Sequence, residues 1–279
     1  MTPEILIMWL TLTAYVAAAV MFVFGVVFMK DALTRNAVVV TALGLLPHTA
    51  AIVVRWINVG HGPYIGYYEV ANALTYFTVV CFVIATLRNR RMSGLGIGIM
   101  PLAVLLIGGA MLAPKAGLPM TPQLASYWLF IHVAFANMAF AAFAASFGFA
   151  VIYLLRQRSK TGMWLKRLEK MPAQSAIEFS ISRFALAGFI LWGIMIVTGA
   201  IWANEAWGRY WSWDPIETWS LVVWLIYAVF LHVRFALGWR DERLAWFAVA
   251  AMPVALFCLI GIPTVFNTVH GGYIGGADG

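Results

Sequence analysis

Charged residues are scarce in this sequence of 279 residues. Asp, Glu, Lys and Arg together make up 10% of it, whereas hydrophobic residues make up 63% and the mean hydropathy is +0.88. Soluble domains carry about 25% charged residues, so the composition excludes a soluble domain and predicts an integral membrane protein. Cysteine is scarce as well, because Cys81 and Cys258 stand alone in apolar runs, with no CxxC and no paired spacing. This favours small buried hydrophobic residues over thiol chemistry.

The start of the chain lacks the basic segment of a signal peptide, so we expect its first apolar run to remain as a membrane span. Runs of about 20 apolar residues mark segments that can cross a bilayer. They predict an all-α integral membrane protein, a single polytopic domain over 1–279 with about eight transmembrane helices and an external Trp-rich surface segment. The spans are expected at about 4–29, 37–57, 69–87, 95–112, 126–155, 183–203, 215–238 and 243–265.

The net charge of +7 does not indicate a nucleic-acid partner in so apolar a chain, because it reflects the connections between the spans. Alternate connections are basic, and the opposite set holds only Arg55, Lys115 and Arg209. Since basic loops stay in the cytoplasm, both termini and the Trp-rich stretch are predicted on the outer (periplasmic) face of a bacterial inner membrane. The basic connections carry Lys30, Arg35, Arg88, Arg90, Arg91, Arg156, Arg158, Lys160, Lys166, Arg167, Lys170, Arg234, Arg240 and Arg243.

The most unusual stretch is Trp202–Trp219, which reads WANEAWGRYWSWDPIETW and is called the tryptophan segment below. Tryptophans beside a membrane form either an interfacial belt or a platform for a large planar ligand, because the indole has an apolar face and a polar edge. Five of them within eighteen residues favour the platform. Asp214, Pro215 and Glu217 match the N-cap, N1 and N3 positions of a helix, which explains both acids structurally and starts the seventh helix at Pro215.

Histidine within or beside a membrane span usually has a function, and the sequence has five. His132 is predicted near the outer end of the fifth helix and His270 just after the eighth, so both flank the tryptophan segment. Two imidazoles beside an aromatic surface suit a six-coordinate haem, with one nitrogen on each side of the iron. Proton relay and simple hydrogen bonding are the alternatives for these histidines.

The sequence also allows a second, inner haem site between His48 and His232. At 1.5 Å per residue, His232 lies about 25 Å below the start of the seventh helix, whereas His48 lies near the middle of the second helix, so their depths match only with helix tilt. His61 and Arg55 are interpreted as loop and snorkelling residues. If haem lies nearby, Arg55 and Arg209 are the outer arginines free to pair with its propionates.

Residues 207–215, WGRYWSWDP, resemble the tryptophan-rich WWD signature of haem-handling proteins in cytochrome c biogenesis. Within that superfamily the chain is most similar to the CcsA/ResC branch, on its eight spans, the run from Arg55 to Glu69 and the histidine after the last span. The tail Asn267-Thr268-Val269-His270-Gly271-Gly272 is shorter than the stretch usual in that branch. The second half of the signature follows in register at Glu217, Trp219, Trp224, Leu225, Tyr227 and His232.

The resemblance implies that haem enters from the cytoplasmic side, is held within the membrane and is presented on the outer face. His132 and His270 then match the outer axial ligands of a non-covalent, bis-His haem b. His232 matches a membrane ligand, and His48 is the best candidate for its partner. The residues expected to contact haem are Trp202, Trp207, Arg209, Trp211, Trp213, Asp214 and Arg55.

The activity implied by the resemblance is haem delivery for covalent attachment to the CxxCH motif of apocytochrome c, as a haem-binding subunit of a holocytochrome c synthase. The implied partners are a CcsB/ResB-type membrane protein, apocytochrome c and thiol-reducing proteins. No catalytic acid or base is expected. Two alternatives stay open: a CcmC-like haem chaperone that hands haem to a carrier, and a membrane b-type cytochrome that transfers electrons.

Overall fold

The computed structural model describes residues 2–28, 30–115, 117–158 and 173–270. In these ranges the chain is all-α, and eight helices are long and apolar enough to cross a membrane, which confirms the predicted fold class. Lys160, Lys166, Arg167 and Lys170 of the basic set lie outside the described residues. The helices are α1 (Pro3–Val27), α2 (Asp31–Val59), α3 (Tyr67–Arg88), α4 (Gly96–Leu112), α5 (Tyr127–Arg158), α6 (Gln174–Trp207), α7 (Pro215–Phe235) and α8 (Asp241–Leu256, continued by a π-turn at Phe257–Gly261 and a last turn at Ile262–Val265).

Helix α6 is longer at both ends than the span predicted at 183–203. Its 34 residues extend about 50 Å, well beyond a hydrocarbon core of about 30 Å. The polar start of α6 is held against the end of α7 by Arg234, whose Nη1 lies 3.1 Å from Glu178 Oε1 and whose Nε donates to Ser182 Oγ at 2.9 Å. These contacts stabilise helical turns that have little hydropathy of their own.

The tryptophan segment is not one surface element. Trp202 and Trp207 lie in the last turns of α6, and Gly208 ends that helix in the left-handed conformation, with φ of 73°. Residues 208–214 form a loop, and α7 begins at Pro215 as predicted. Trp207 and Trp211 therefore do not share a helical face, because the backbone between them is not helical.

Three connections and the tail after α8 meet at one end of the helix bundle, called the tryptophan end: residues 60–66, 117–126, 208–214 and 266–270. His61 Nε2 lies 3.0 Å from the carbonyl oxygen of Leu118, and Trp202 Nε1 donates to the carbonyl of Gln123 at 2.8 Å. The backbone N–H of Val269 donates to Asp214 Oδ2 at 2.8 Å. Segments far apart in the sequence are thus joined at this end.

Helices α5, α6 and α7 share a buried aromatic core directly below the tryptophan end. Phe143 of α5 stacks on Tyr227 of α7, with ring centroids 3.6 Å apart. Trp192 of α6 is fully buried and donates Nε1–H to the carbonyl of Ser220 at 2.9 Å. Packed aromatic side chains bury large apolar areas. The core shared by these three helices therefore stabilises the helices that carry the loops of the tryptophan end.

Candidate functional site

An apolar cavity opens at the tryptophan end. The space within it that a water-sized sphere can reach is about 130 Å³, and its mouth is open. Helices α3, α5 and α6 form its walls, and the start of α7, the π-turn of α8 and the tail after α8 complete it. His132 and His270 both line it, as do Trp202 and Trp211. The two histidines predicted to act together therefore face one cavity.

His132 is held rigidly in the wall of the cavity. Its Nδ1 lies 2.8 Å from the backbone carbonyl oxygen of Met195 on α6. Since a carbonyl can only accept, Nδ1 carries the proton and Nε2 of the neutral ring keeps its lone pair. This is the tautomer that a metal-ligating imidazole needs, with the other nitrogen fixed by a hydrogen bond.

Gly199 leaves the space that His132 occupies. A Cβ at position 199 would lie 2.6 Å from Nδ1 and 2.8 Å from Cε1 of the imidazole. These distances are shorter than van der Waals contact, and the ring is already fixed by Met195. Only glycine therefore lets α6 pass this close to His132.

His270 reaches the cavity from the tail after α8. Its Nδ1 lies 3.5 Å from Asp214 Oδ1, an ion-pair distance beyond a well-formed hydrogen bond. Burial opposes ionisation of Asp214, but the contact with His270 and the bonds from the Val269 and Ile216 N–H groups outweigh it and hold the pKa of that carboxyl below its usual range. A carboxylate beside Nδ1 favours the proton there, which again leaves Nε2 available.

Trp202 and Trp207 link the two histidines. The indole of Trp202 is 2% exposed, and its ring centroid lies 6.3 Å from that of His132 and 5.5 Å from that of His270. Trp207 contacts Trp202 at 4.8 Å and His270 at 5.4 Å, both edge to face. The result is a continuous aromatic cluster that includes both imidazoles.

Trp211 and Trp213 differ although both lie in the loop. Trp211 lines the cavity, and its buried Nε1 has no hydrogen-bond partner among the described residues. Trp213 is 69% exposed and does not line the cavity, and Arg209 is also exposed. Of the tryptophan segment, Trp202 and Trp211 thus lie in the cavity wall, whereas Trp213 does not; their role as a ligand platform stays a prediction.

The loop is held in a strained conformation by the first turn of α7. Trp213 has φ of 60°, a left-handed conformation that costs a residue with Cβ roughly 1–3 kcal/mol. Glu217 Oε2 accepts from the backbone N–H of Ser212 at 2.7 Å and of Asp214 at 3.2 Å, and Asp214 Oδ1 accepts from Ile216 N–H at 3.0 Å. The capping box predicted from the sequence is present, and it also fixes the loop.

These residues fit haem better than a bare metal ion. Among the described residues no group of three or more His, Cys, Asp or Glu side chains could hold an ion. Two imidazoles are enough only when the remaining ligands come from a macrocycle, as in haem. The apolar walls and the aromatic cluster suit the edges of such a ring, and the space left at Gly199 lets one imidazole stand in the wall.

Arg55 lies outside the cavity and is already paired. Its Nε donates to Glu69 Oε1 at 2.9 Å, its Nη1 donates to the carbonyl of Lys115 at 2.9 Å, and Glu4 lies 3.8 Å away. The expectation that this guanidinium is free for a propionate is therefore not met in this conformation. His61 joins the same buried cluster, with Nδ1 at 3.5 Å from Glu69 Oε2.

The structure does not bring His48 and His232 together. His48 is fully buried between α1 and α3, where Nδ1 lies 3.0 Å from the Tyr15 hydroxyl and Tyr76 packs edge-on. His232 is exposed near the far end of α7, a helix that packs mainly on α6 and α8. An inner site with both ligands from this chain would require these helix groups to move, and the ligand roles of the two residues stay predictions.

Sequence reasoning missed three features of the cavity. Gly199 and the carbonyl of Met195 fix His132, but neither position has a signal that can be read without knowing how α5 and α6 rotate against each other. Asn137 is the third: it lines the cavity and its Oδ1 is buried without a partner among the described residues. A polar residue within an apolar span was the available signal for it.

A profile of the family described as cytochrome c assembly protein matches residues 64–270. The chain belongs to this family. The match runs from the first to the last residue that lines the cavity, Tyr64 and His270. It leaves out α1 and α2, and with them His48 and Arg55.

Individual relatives agree with the family. The chain is 35% identical to "Cytochrome c biogenesis protein CcsA" of Prochlorococcus marinus over 271 residues, covering 84% of each chain. It is 30% identical to the protein of that name from Cycas taitungensis, covering 80% of this chain and 82% of the relative. With the Synechocystis protein of that name it shares 29% identity over 95% of this chain and 94% of the relative. The chain is therefore a CcsA-type cytochrome c biogenesis protein and acts in cytochrome c maturation.

A solved structure shows the same fold. "Cytochrome c Heme Lyase CcmF" superposes with a TM-score of 0.69 at 17% identity, covering 98% of this chain and 48% of that one. This chain thus spans about half the length of that protein. At so low an identity the likeness concerns the arrangement of the helices alone.

Proposed function

We propose that the protein carries haem to the outer face of the membrane and presents it there for covalent attachment to apocytochrome c. The observation that carries the proposal is that His132 and His270, from distant parts of the chain, line one apolar cavity at the tryptophan end. Both imidazoles have Nδ1 beside an acceptor, which leaves Nε2 as the nitrogen for iron.

In this proposal the protein positions haem for the attachment reaction and supplies no acid or base catalyst. Haem supplies two vinyl groups, and each thiol of a CxxCH motif adds its S–H across one C=C bond to form a thioether. His132 and His270 would supply the nitrogens that hold the iron, Trp202 and Trp211 would support the ring, and the apolar walls would exclude water. Fixing both reactants in a reactive geometry supplies much of the rate gain in such a reaction.

The partners that this role requires are apocytochrome c, proteins that keep its thiols reduced, and a CcsB/ResB-type membrane partner. The proposed location is a bacterial inner membrane, and the charge asymmetry of the loops supports an orientation with the tryptophan end outside. In that orientation the cavity mouth faces the compartment in which the apocytochrome thiols arrive.

The test compares His132→Ala and His270→Ala with the wild type, and uses His61→Gln as a control because His61 is buried outside the cavity. Purified wild-type protein is expected to contain non-covalent haem by the pyridine haemochrome assay. Both alanine variants should lose most of it and stop maturation of a reporter cytochrome c, measured by haem stain at equal membrane levels. Normal maturation by both variants would refute the role proposed for the cavity.

A further inference from the structure

A single carboxylate joins the loop before α7 to the tail after α8. Asp214 is 8% exposed and uses both of its oxygens. Oδ1 accepts from Ile216 N–H at 3.0 Å, which caps α7, whereas Oδ2 accepts from Val269 N–H at 2.8 Å. Oδ1 also lies 3.5 Å from Nδ1 of His270. The helix cap alone does not require the contacts with the tail.

The two histidines of the cavity are held in different ways. His132 stands on a long helix, and its Nδ1 faces a neutral backbone carbonyl of α6. His270 lies beyond the end of α8, so no helix fixes its direction. Its contacts are side chains: the carboxylate of Asp214 and the rings of Trp202 and Trp207. Its position therefore depends on whatever anchors the tail.

We propose that Asp214 is a positioning residue for His270. Its carboxylate binds the backbone N–H of Val269 and lies beside Nδ1 of the imidazole, and so keeps the ring over the cavity with Nε2 available. The aspartate of the WWD signature then acts on the ligand and not on the haem edge. The proposal rests on the proposed function for the nature of the ligand, whereas the link between loop and tail is a property of the chain itself.

The chemistry of the pair supports this role. Metal-ligating histidines almost always donate their second ring N–H to a carboxylate, a carbonyl or water, which orients the ring and raises its basicity. In this cavity one histidine faces a carbonyl and the other a carboxylate, so the two ligands are unequal. Because Asp214 also caps α7, the same residue ties the position of His270 to the loop that carries Trp211.

Two variants distinguish the contact of Asp214 with the tail from its role as the N-cap of α7. Asp214→Ser keeps a good N-cap residue but removes the oxygen that binds Val269 and the charge beside His270. Val269→Pro removes the donor N–H from the tail side and leaves Asp214 and its cap intact. Thr218→Val is the matched control, because its hydroxyl donates to the carbonyl of Trp213 in the same loop and does not touch the tail.

The first measurement uses haem-free protein. Hydrogen exchange of the Val269 amide should be about tenfold faster in Asp214→Ser, because the bond that protects it is lost. Thr218→Val should leave that rate unchanged. Equal exchange of the Val269 amide in Asp214→Ser and wild type would overturn the proposal, since it would mean that Asp214 does not hold the tail.

The second measurement uses haem-loaded protein. Wild type is expected to show a low-spin optical spectrum, and both Asp214→Ser and Val269→Pro should gain a high-spin fraction that millimolar imidazole converts back to low spin. A low-spin spectrum in both variants would overturn the proposal. Wild type that binds no haem would refute the proposed function instead, and Val269 exchange would then decide whether Asp214 links loop and tail.

Discussion

At the scale of single residues, Gly199 decides whether His132 can stand in the cavity wall. Gly199→Ala should raise helix propensity by up to about 1 kcal/mol, yet its Cβ would lie 2.6 Å from Nδ1 of a ring held by Met195. We expect the imidazole to be displaced and haem content to fall several-fold, measured by the pyridine haemochrome assay. The control is Gly108→Ala in α4, where a Cβ meets nothing within 4 Å. Equal haem loss in both variants would contradict the steric account.

Substitutions of the two loop tryptophans, Trp211 and Trp213, should have different effects on haem retention in the same assay. Trp211→Ala removes an indole from the cavity wall and is expected to lower haem retention in detergent. Trp213→Ala removes an indole that is 69% exposed and outside the cavity, so retention should stay near that of the wild type. If Trp213→Ala were the more damaging of the two, haem would have to bind on the outside of the loop. Membrane insertion, followed by immunoblot, should be normal for both variants.

At the scale of helices, the buried cluster between α2 and α3 supports the fold beside the cavity. Side chains of Arg55 and Glu69 are 11% and 1% exposed, and removing one partner of such a pair costs on the order of 3 kcal/mol. Glu69→Gln should therefore lower the melting temperature in detergent, and Arg55→Met/Glu69→Leu should recover part of that loss. Haem per folded molecule should not change. A selective loss of haem at full stability would place Arg55 in the haem site.

The helices themselves could be predicted because the signals for them are local. Hydropathy gave all eight spans, and the caps at Asp214 and Glu217 gave the start of α7. The polar first turns of α6 were missed because they depend on Arg234, a residue of another helix. The same reason applies to the cavity. Counting residues places the two histidines at one level, but the hydrogen bond of His132 to Met195 and the contact of His270 with Asp214 are tertiary contacts. Helix rotation decides these contacts, and span lengths carry no information about it.

At the scale of the whole molecule, the order of the helices puts everything needed for the proposed site at one end. The tail after α8 can reach Asp214 only because α8 ends beside the loop that precedes α7. Among the described residues, basic side chains such as Lys30, Arg90 and Arg240 lie at the opposite end. The order of the helices thus puts the proposed site and the basic residues at opposite ends of the bundle. An experiment that shows on which side of the membrane one end lies therefore shows it for the other end too.

Cysteine labelling decides that orientation. Arg209→Cys places a thiol in the exposed loop at the tryptophan end, and Leu237→Cys places one at the opposite end, where Leu237 is 61% exposed. In a background with Cys81 and Cys258 changed to serine, a membrane-impermeant maleimide should label Arg209→Cys in intact spheroplasts and Leu237→Cys only after lysis. This follows because basic loops remain cytoplasmic. The reverse pattern would put the cavity mouth in the cytoplasm, where it could load haem but could not present it to an apocytochrome outside.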